Sequence, residues 1–310
     1  MLTSIITAII EIFGVFAIGA FARHKNYVRD EDISPWSMII IDLLFPMLVF
    51  SSIVKDLDVS RLKVLWMLPI TAFGIMAIGA VLGTVLKLGM VNKGNGRMET
   101  FHHFCAINNY SFLPLIVISN LWGNEYLALL FLASIGSEIG LWTIGIGLLG
   151  RGDIKSSLKK ILSPNTIAII AALLISCLGA KEFIPEVVIR IFSKLGNAAV
   201  PLMLMMIGAS LYSSSTSIIK NKRDIAYLSF VRLLLIPFIT IMILKLLPLP
   251  EDAYRVLFVI AIMPVSVSAA ILTRRFGGSP EFAGQAAIVT TVCSAATMPL
   301  MLMLLNVKIF

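Results

Sequence analysis

Apolar residues run along the chain in stretches of about twenty. The polar positions between them gather in short joints of charge, glycine or proline. A helix rises about 1.5 Å per residue, so about 20 residues cross a hydrocarbon core of about 30 Å. The pattern predicts ten spans, over about residues 3–22, 33–54, 64–86, 99–120, 125–149, 163–180, 186–212, 224–247, 252–274 and 282–306. Only the joints at 23–32, 87–98 and 150–162 are long enough to be called loops, which leaves no soluble domain to host chemistry. The implied fold class is an all-α polytopic membrane protein with ten transmembrane helices.

Sliding the chain against itself by about 155 residues tests for a repeat. LLFPMLVFSSI (43–53) then lies over AAVPLMLMMIGASL (198–211), so that Pro46 meets Pro201, and Asn109 of the fourth span meets Pro264 of the ninth. A similar offset sets Glu125 against Glu281, the acidic starts of the fifth and tenth spans. Five spans per half is an odd number, so the second half must enter the membrane from the opposite side. Two inverted five-helix repeats, 1–150 and 151–310, are therefore expected, an arrangement characteristic of alternating-access carriers.

Composition sharpens the class. The 310 residues are 58% hydrophobic and 14% charged, with a mean hydropathy of +0.96, which rules against disorder, a disulfide-stapled secreted module or a soluble enzyme. The net charge of +8 resembles a nucleic-acid signal until its location is read. Lys and Arg sit almost wholly in the joints, as topology rules and anionic lipids require, and no nucleic-acid partner is expected. One side holds Arg23, Lys25, Arg29, Lys87, Lys93, Arg97, Arg151, Lys155, Lys159, Lys160, Lys220, Lys222, Arg223, Arg274 and Arg275; the other holds Lys55, Arg61, Lys63, Lys181, Lys245, Arg255 and Lys308. Fifteen against seven makes the first side cytoplasmic and puts both termini outside a multi-pass inner-membrane protein. The N-terminus MLTSIITAII has no basic leader region, so no cleavable signal is expected. Cys105, Cys177 and Cys293 lie in separate apolar stretches and read as packing residues.

Two spans carry interruptions deep in the membrane. FCAINNYSFLPLIVISN in the fourth places Asn108 and Asn109 before Pro114, and IAIMPVSVSAAIL in the ninth places Pro264 before Ser266 and Ser268. Proline removes an N–H and clashes with the carbonyl a turn earlier, so both helices should break there. Unwound backbone at this depth is tolerated only inside protein or beside a wet cavity. Matched positions in inverted halves predict that the two broken helices cross near the bilayer centre. Each second half-helix then aims a positive N-terminus at the crossing, where the Asn amides and Ser hydroxyls can also donate to an anion.

Charged residues inside spans are costly, by roughly 2.5 to 3.5 kcal/mol for an acidic side chain at the helix centre. Glu138, about thirteen residues into the fifth span, is a candidate proton or cation coupling site. Asp42 and Arg232, each about nine residues from the cytoplasmic side, are opposite in charge and equal in depth, which predicts an inter-helix ion pair. Glu11 should turn to an interface or a helix neighbour. Ser51, Gln285, Thr290 and Thr291 are candidates for lining a cavity, and His102 and His103 are expected at the cytoplasmic mouth, facing headgroups. No metal-ligand cluster or cofactor motif is present in the sequence, and three His with no Asp-rich run leave no equipment for intramembrane hydrolysis or prenyl transfer.

LLFPMLVFSS in the second span, NNYSFLPL in the fourth, LWTIGIGLL in the fifth, SPNTIAIIAALL in the sixth, NAAVPLMLMMIGASL in the seventh, IMPVSVSAAILTRRFGG in the ninth and AAIVTTVCSAATMPLMLMLL in the tenth, in that order and spacing, resemble the auxin efflux carrier family. That family includes the plant PIN-FORMED auxin transporters and bacterial malate and malonate permeases. The resemblance implies the fold of bile-acid and sodium–proton carriers, with a scaffold of spans 1, 2, 6 and 7 and a transport unit of spans 3–5 and 8–10. It further implies an organic anion at the crossover of helices 4 and 9, contacted by Asn108 or Asn109, and a homodimer through the scaffold. The long hydrophilic central loop of many plant members is missing from this sequence, so their phosphorylation control does not transfer. The function expected is secondary transport of a small organic carboxylate, auxin-like, malate-like or malonate-like, with a proton or sodium as candidate coupling ion. The alternative is a cation/proton exchanger or a membrane sensor on the same fold.

Overall fold

The computed structural model describes residues 2–58, 65–150, 159–215 and 222–304. Among them the backbone is helical with no named strand, and an isolated antiparallel bridge joins Asn108 to Val265. The rods are α1 Leu2–His24, α2 Asp30–Asp56, α3 Met67–Leu86, α4 Arg97–Ala106, α5 Phe112–Trp122, α6 Asn124–Leu148, α7 Pro164–Cys177, α8 Glu186–Asn197, α9 Ala199–Ser215, α10 Lys222–Leu246, α11 Glu251–Ala261, α12 Val267–Phe276 and α13 Pro280–Met303. Seven helices are long and apolar enough to cross a membrane, with α8 and α9 taken as one, while α5 and α7 are apolar but shorter. The chain is thus a multi-pass membrane protein built of helices. Of the topogenic charges, Arg61, Lys63, Arg151, Lys155, Lys220 and Lys308 lie outside the described residues.

Local chemistry sets several of the ends. Ser163 Oγ accepts the Thr166 N–H at 3.2 Å and Pro164 fills the first helical position of α7, where a missing N–H costs nothing. Ser279 and Pro280 open α13 the same way. The seventh span, expected as one rod, is interrupted at Ala198 between α8 and α9.

α1 packs on α9, and α2 packs on α7 and α8; α3 packs on α4 and α6, and α13 packs on α10 and α12. Between α1 and α9 the backbones touch, because a Cβ on Gly19 would overlap the Met205 carbonyl and one on Gly208 the Phe16 carbonyl. Glu11 turns to a helix neighbour as expected, its carboxylate accepting from Asn120 Nδ2 at 2.7 Å. The histidines do not face headgroups. His102 and His103 are buried, bonded to the Ala80 carbonyl at 2.7 Å and the Gly145 carbonyl at 2.8 Å, because α4 enters between α3 and α6. Cys105 is buried as expected, whereas Cys177 and Cys293 are exposed.

Three helices carry a wider, five-residue-spaced turn: Ile40–Leu44 in α2, Leu141–Gly145 in α6 and Val231–Leu235 in α10. Two precede a proline. Pro46 cannot tolerate the Asp42 carbonyl in the ordinary ladder, and the Phe45 N–H reaches back five residues to Ile40. Pro237 follows the same logic, with the Ile236 N–H bonded to the Val231 carbonyl. Asp42 and Arg232 sit inside such turns and Glu138 sits three residues before one, so these three charges lie at or beside a local change of helical register, whereas Glu11 lies in the unbroken α1.

Candidate functional site

The fourth and ninth spans are broken, and they meet. α4 stops at Ala106 and α5 starts at Phe112; α11 stops at Ala261 and α12 starts at Val267. The extended pieces pair as the shortest possible sheet: the Asn109 N–H donates to the Pro264 carbonyl at 2.9 Å, and Asn108 bridges Val265. Pairing satisfies backbone groups that neither water nor a helix could serve at this depth.

The prolines divide the task differently from the sequence expectation. Pro264 lies within its break. Pro114 does not cause one, since it is the third residue of α5, in the first turn where no intrahelical N–H bond is lost. The fourth span unwinds earlier, over Ile107–Ser111, where Asn108, Asn109 and Ser111 favour local polar bonding over the helix ladder.

The two asparagines are separated by role. Asn108 is fully buried and its Nδ2 donates to the Ile260 carbonyl of α11. Asn109 lines two cavities, one of about 260 Å³ and one of about 90 Å³, and its side-chain amide has no hydrogen-bond partner among the described residues. Ser266 lines both cavities as well, and Phe112, the first residue of α5, forms part of each wall. The Ser268 side chain lies outside the described residues.

Glu138 lines the larger cavity and is tied to the crossover: Tyr110 Oη donates to its Oε2 at 2.7 Å, and Trp142 Nε1 to its Oε1 at 2.9 Å. Hydrogen bonds to a charged group contribute about 1.5 to 3 kcal/mol each, so two of them offset the cost of holding a carboxylate here. Asp42 also lines the larger cavity. Lys160 stands at its edge, with Nζ 4.9 Å from the ring centroids of both Trp142 and Phe276. Burial, and then the charge of Arg275, push its ammonium below the ordinary lysine pKa. Asn165 faces the same space with a buried Oδ1 that has no hydrogen-bond partner among the described residues.

The expected Asp42–Arg232 ion pair does not form. Arg232 is fully buried and bonded to three backbone carbonyls, whereas Asp42 is exposed to the cavity, and no ion pair joins them among the described residues. Equal depth along two helices does not place their side chains on facing sides. Ser51, Gln285, Thr290 and Thr291 line neither crossover cavity. All four are buried in helix packing, with Ser51 and Thr290 bonded to carbonyls of their own helices.

Tyr110, Trp142, Lys160 and Asn165 were not among the expected site residues. Two of them had a readable signal: Trp142 follows Glu138 by four residues and so shares its helix face, and Tyr110 stands inside the NNYS run. Lys160 and Asn165 come to the cavity through tertiary packing alone.

Among proteins of similar sequence, a transporter of Methanothermobacter thermautotrophicus described as uncharacterized is 22% identical over 297 residues, covering 94% of this chain and 95% of its own length. An uncharacterized transporter of Methanocaldococcus jannaschii is 24% identical over 199 residues, covering 63% of this chain and 65% of its own, a little under two thirds. Residues 4–153 and 151–302 match the family of membrane transport proteins, the auxin efflux carrier group. With that match spanning nearly the whole chain, and helices built to cross a bilayer around a paired break, this chain belongs to the membrane transport protein family.

Proposed function

We propose that the chain is a secondary carrier that moves a small organic carboxylate across the membrane by alternating access, with the anion held at the crossover. One observation carries this reading: Asn109, with a free side-chain amide, and Ser266 converge on the same cavities beside the first turns of α5 and α12. Unpaired N–H groups and the positive end of a helix favour an anion, and amide and hydroxyl donors give a carboxylate its hydrogen bonds. Lys160 adds a cation at the cavity edge. The fold reading that goes with this function is ten spans in two inverted repeats, supported by breaks at Ile107–Ser111 and Ile262–Ser266 that lie 155 residues apart (262 − 107 and 266 − 111). Spans 1, 2, 6 and 7 act as scaffold, spans 3–5 and 8–10 as the moving unit, and a second copy docks on the scaffold. Lys160 and Ser163 line the larger cavity and Ile33 and Ser210 the smaller, all near joints richer in Lys and Arg, which supports reading the chain as an inward-facing carrier with both termini outside. Glu138 takes up and releases the coupling proton, and Tyr110 transmits its state to the crossover.

A second reading, exchange of a cation for protons, is favoured by Asp42 and Glu138 lining one cavity. Thermal-shift measurements on purified protein separate the two. The anion reading predicts that one or more of a set of monocarboxylates, dicarboxylates and indole acids raises the Tm of the wild type and not of Asn109→Ala. Stabilisation by alkali cations alone would favour the exchanger.

A further inference from the structure

The broken helices leave two kinds of bare end. The starts of α5 and α12 are positive, whereas the ends of α4 and α11 expose carbonyls whose helix partners are gone. Those negative ends must be met by something, since water is excluded and an unsatisfied carbonyl at this depth costs several kcal/mol. Arg232 meets them. Its Nη1 donates to the Cys105 carbonyl of α4 at 3.1 Å, its Nη2 to the Ala261 carbonyl at the end of α11 at 3.1 Å, and its Nε to the Met263 carbonyl inside the second break at 3.2 Å. The side chain is fully buried and has no carboxylate partner among the described residues. Such a charge is expensive unless paired, and here its counter-charge is the pair of helix C-termini.

The geometry points to Arg232 as a resident cation of the crossover, a positioning residue that holds the ends of the two first half-helices together without the help of a bound metal ion. Carbonyl oxygens converging at the end of a broken helix are the ligand type that alkali cations take. In this chain the guanidinium occupies them, and it remains protonated in proteins. Its five donors in a planar fork fit three carbonyls from two helices, and the wide turn Val231–Leu235 displaces the local register where it leaves α10. Two consequences follow. The negative ends are neutralised on the α10 side, which leaves the positive ends of α5 and α12 unopposed toward Asn109. The carbonyl cluster is filled by the guanidinium, so the hold on the two helix ends needs no sodium there. The role of Arg232 stands whichever solute or coupling ion is carried.

The test uses purified full-length protein, with Tm recorded in sodium chloride, guanidinium chloride at low millimolar concentration, or choline chloride at matched ionic strength. With Arg232 intact and the cavity carboxylates removed, the double variant Asp42→Asn/Glu138→Gln should show the same Tm in sodium and choline. Arg232→Met, similar in length and without charge, should lose on the order of 10 °C, recovered in part by sodium or guanidinium but not by choline. Arg232→Lys should lie between the two and need no added cation. Sodium stabilising that double variant over choline would overturn the proposal, as would Arg232→Met matching Arg232→Lys. If neither Arg232 variant folds, the sodium–choline comparison on the double variant still decides. A carboxylate panel without effect would sink the anion reading and leave this inference standing.

Discussion

Asn108 donates its side-chain amide to the Ile260 carbonyl, and Asn109, its neighbour, keeps its own amide open to two cavities. Consecutive residues of an extended segment point to opposite sides, so a paired NN run in the break puts one amide on the protein and one on the cavity. Replacing Asn108 by Ala should take one donor from the Ile260 carbonyl, which keeps the Met263 N–H at 3.3 Å, and lower stability by roughly 0.5 to 1.5 kcal/mol, read as a lower Tm. At Glu138 the prediction concerns pH. The carboxylate accepts from Tyr110 and Trp142, and a Gln of the same shape cannot bind and release a proton. Glu138→Gln should therefore flatten the pH profile of uptake in proteoliposomes. A profile that keeps the wild-type shape would remove Glu138 from coupling.

At the scale of elements, the sequence announced the breaks better than it announced their causes. Asn109 and Pro264 aligned at an offset of 155, and the breaks fall around both, yet Pro114 proved an ordinary first-turn residue of α5. Hydropathy sees a proline but not whether it stands in a first turn or a helix interior. The wide turns were less legible still: Pro46 and Pro237 trail Asp42 and Arg232 by four and five residues, and only the backbone shows how the ladder adjusts. The partner of Arg232 was out of reach because backbone carbonyls, unlike carboxylates, leave no letter in the sequence. Helix contacts yield a separate prediction. Gly19 and Gly208 let α1 and α9 touch backbone to backbone, so Gly208→Leu must push the helices apart. We expect a Tm lower by several degrees, the effect of losing close packing, and an unchanged Tm would show that the contact carries little stability.

Taken as a whole molecule, the chain places its polar side chains according to one division. On the α10 side, Arg232 neutralises the ends where helices stop; on the cavity side, the starts of α5 and α12 stand beside Asn109, Ser266 and Lys160. Placement of this kind suits a negatively charged solute, with Glu138 and Asp42 near enough to respond to it. On the proposed carrier reading, solute movement exposes the crossover to each side in turn and carries charge through a membrane potential worth about 2.3 kcal/mol per elementary charge per 100 mV. The most direct measurement is the current evoked by rapid carboxylate jumps on proteoliposomes adsorbed to a solid-supported electrode, comparing wild type with Asn109→Ala. The account predicts a transient current for at least one carboxylate with the wild type and none with Asn109→Ala. Equal currents from both proteins, or currents evoked by alkali cations and by no carboxylate, would contradict it.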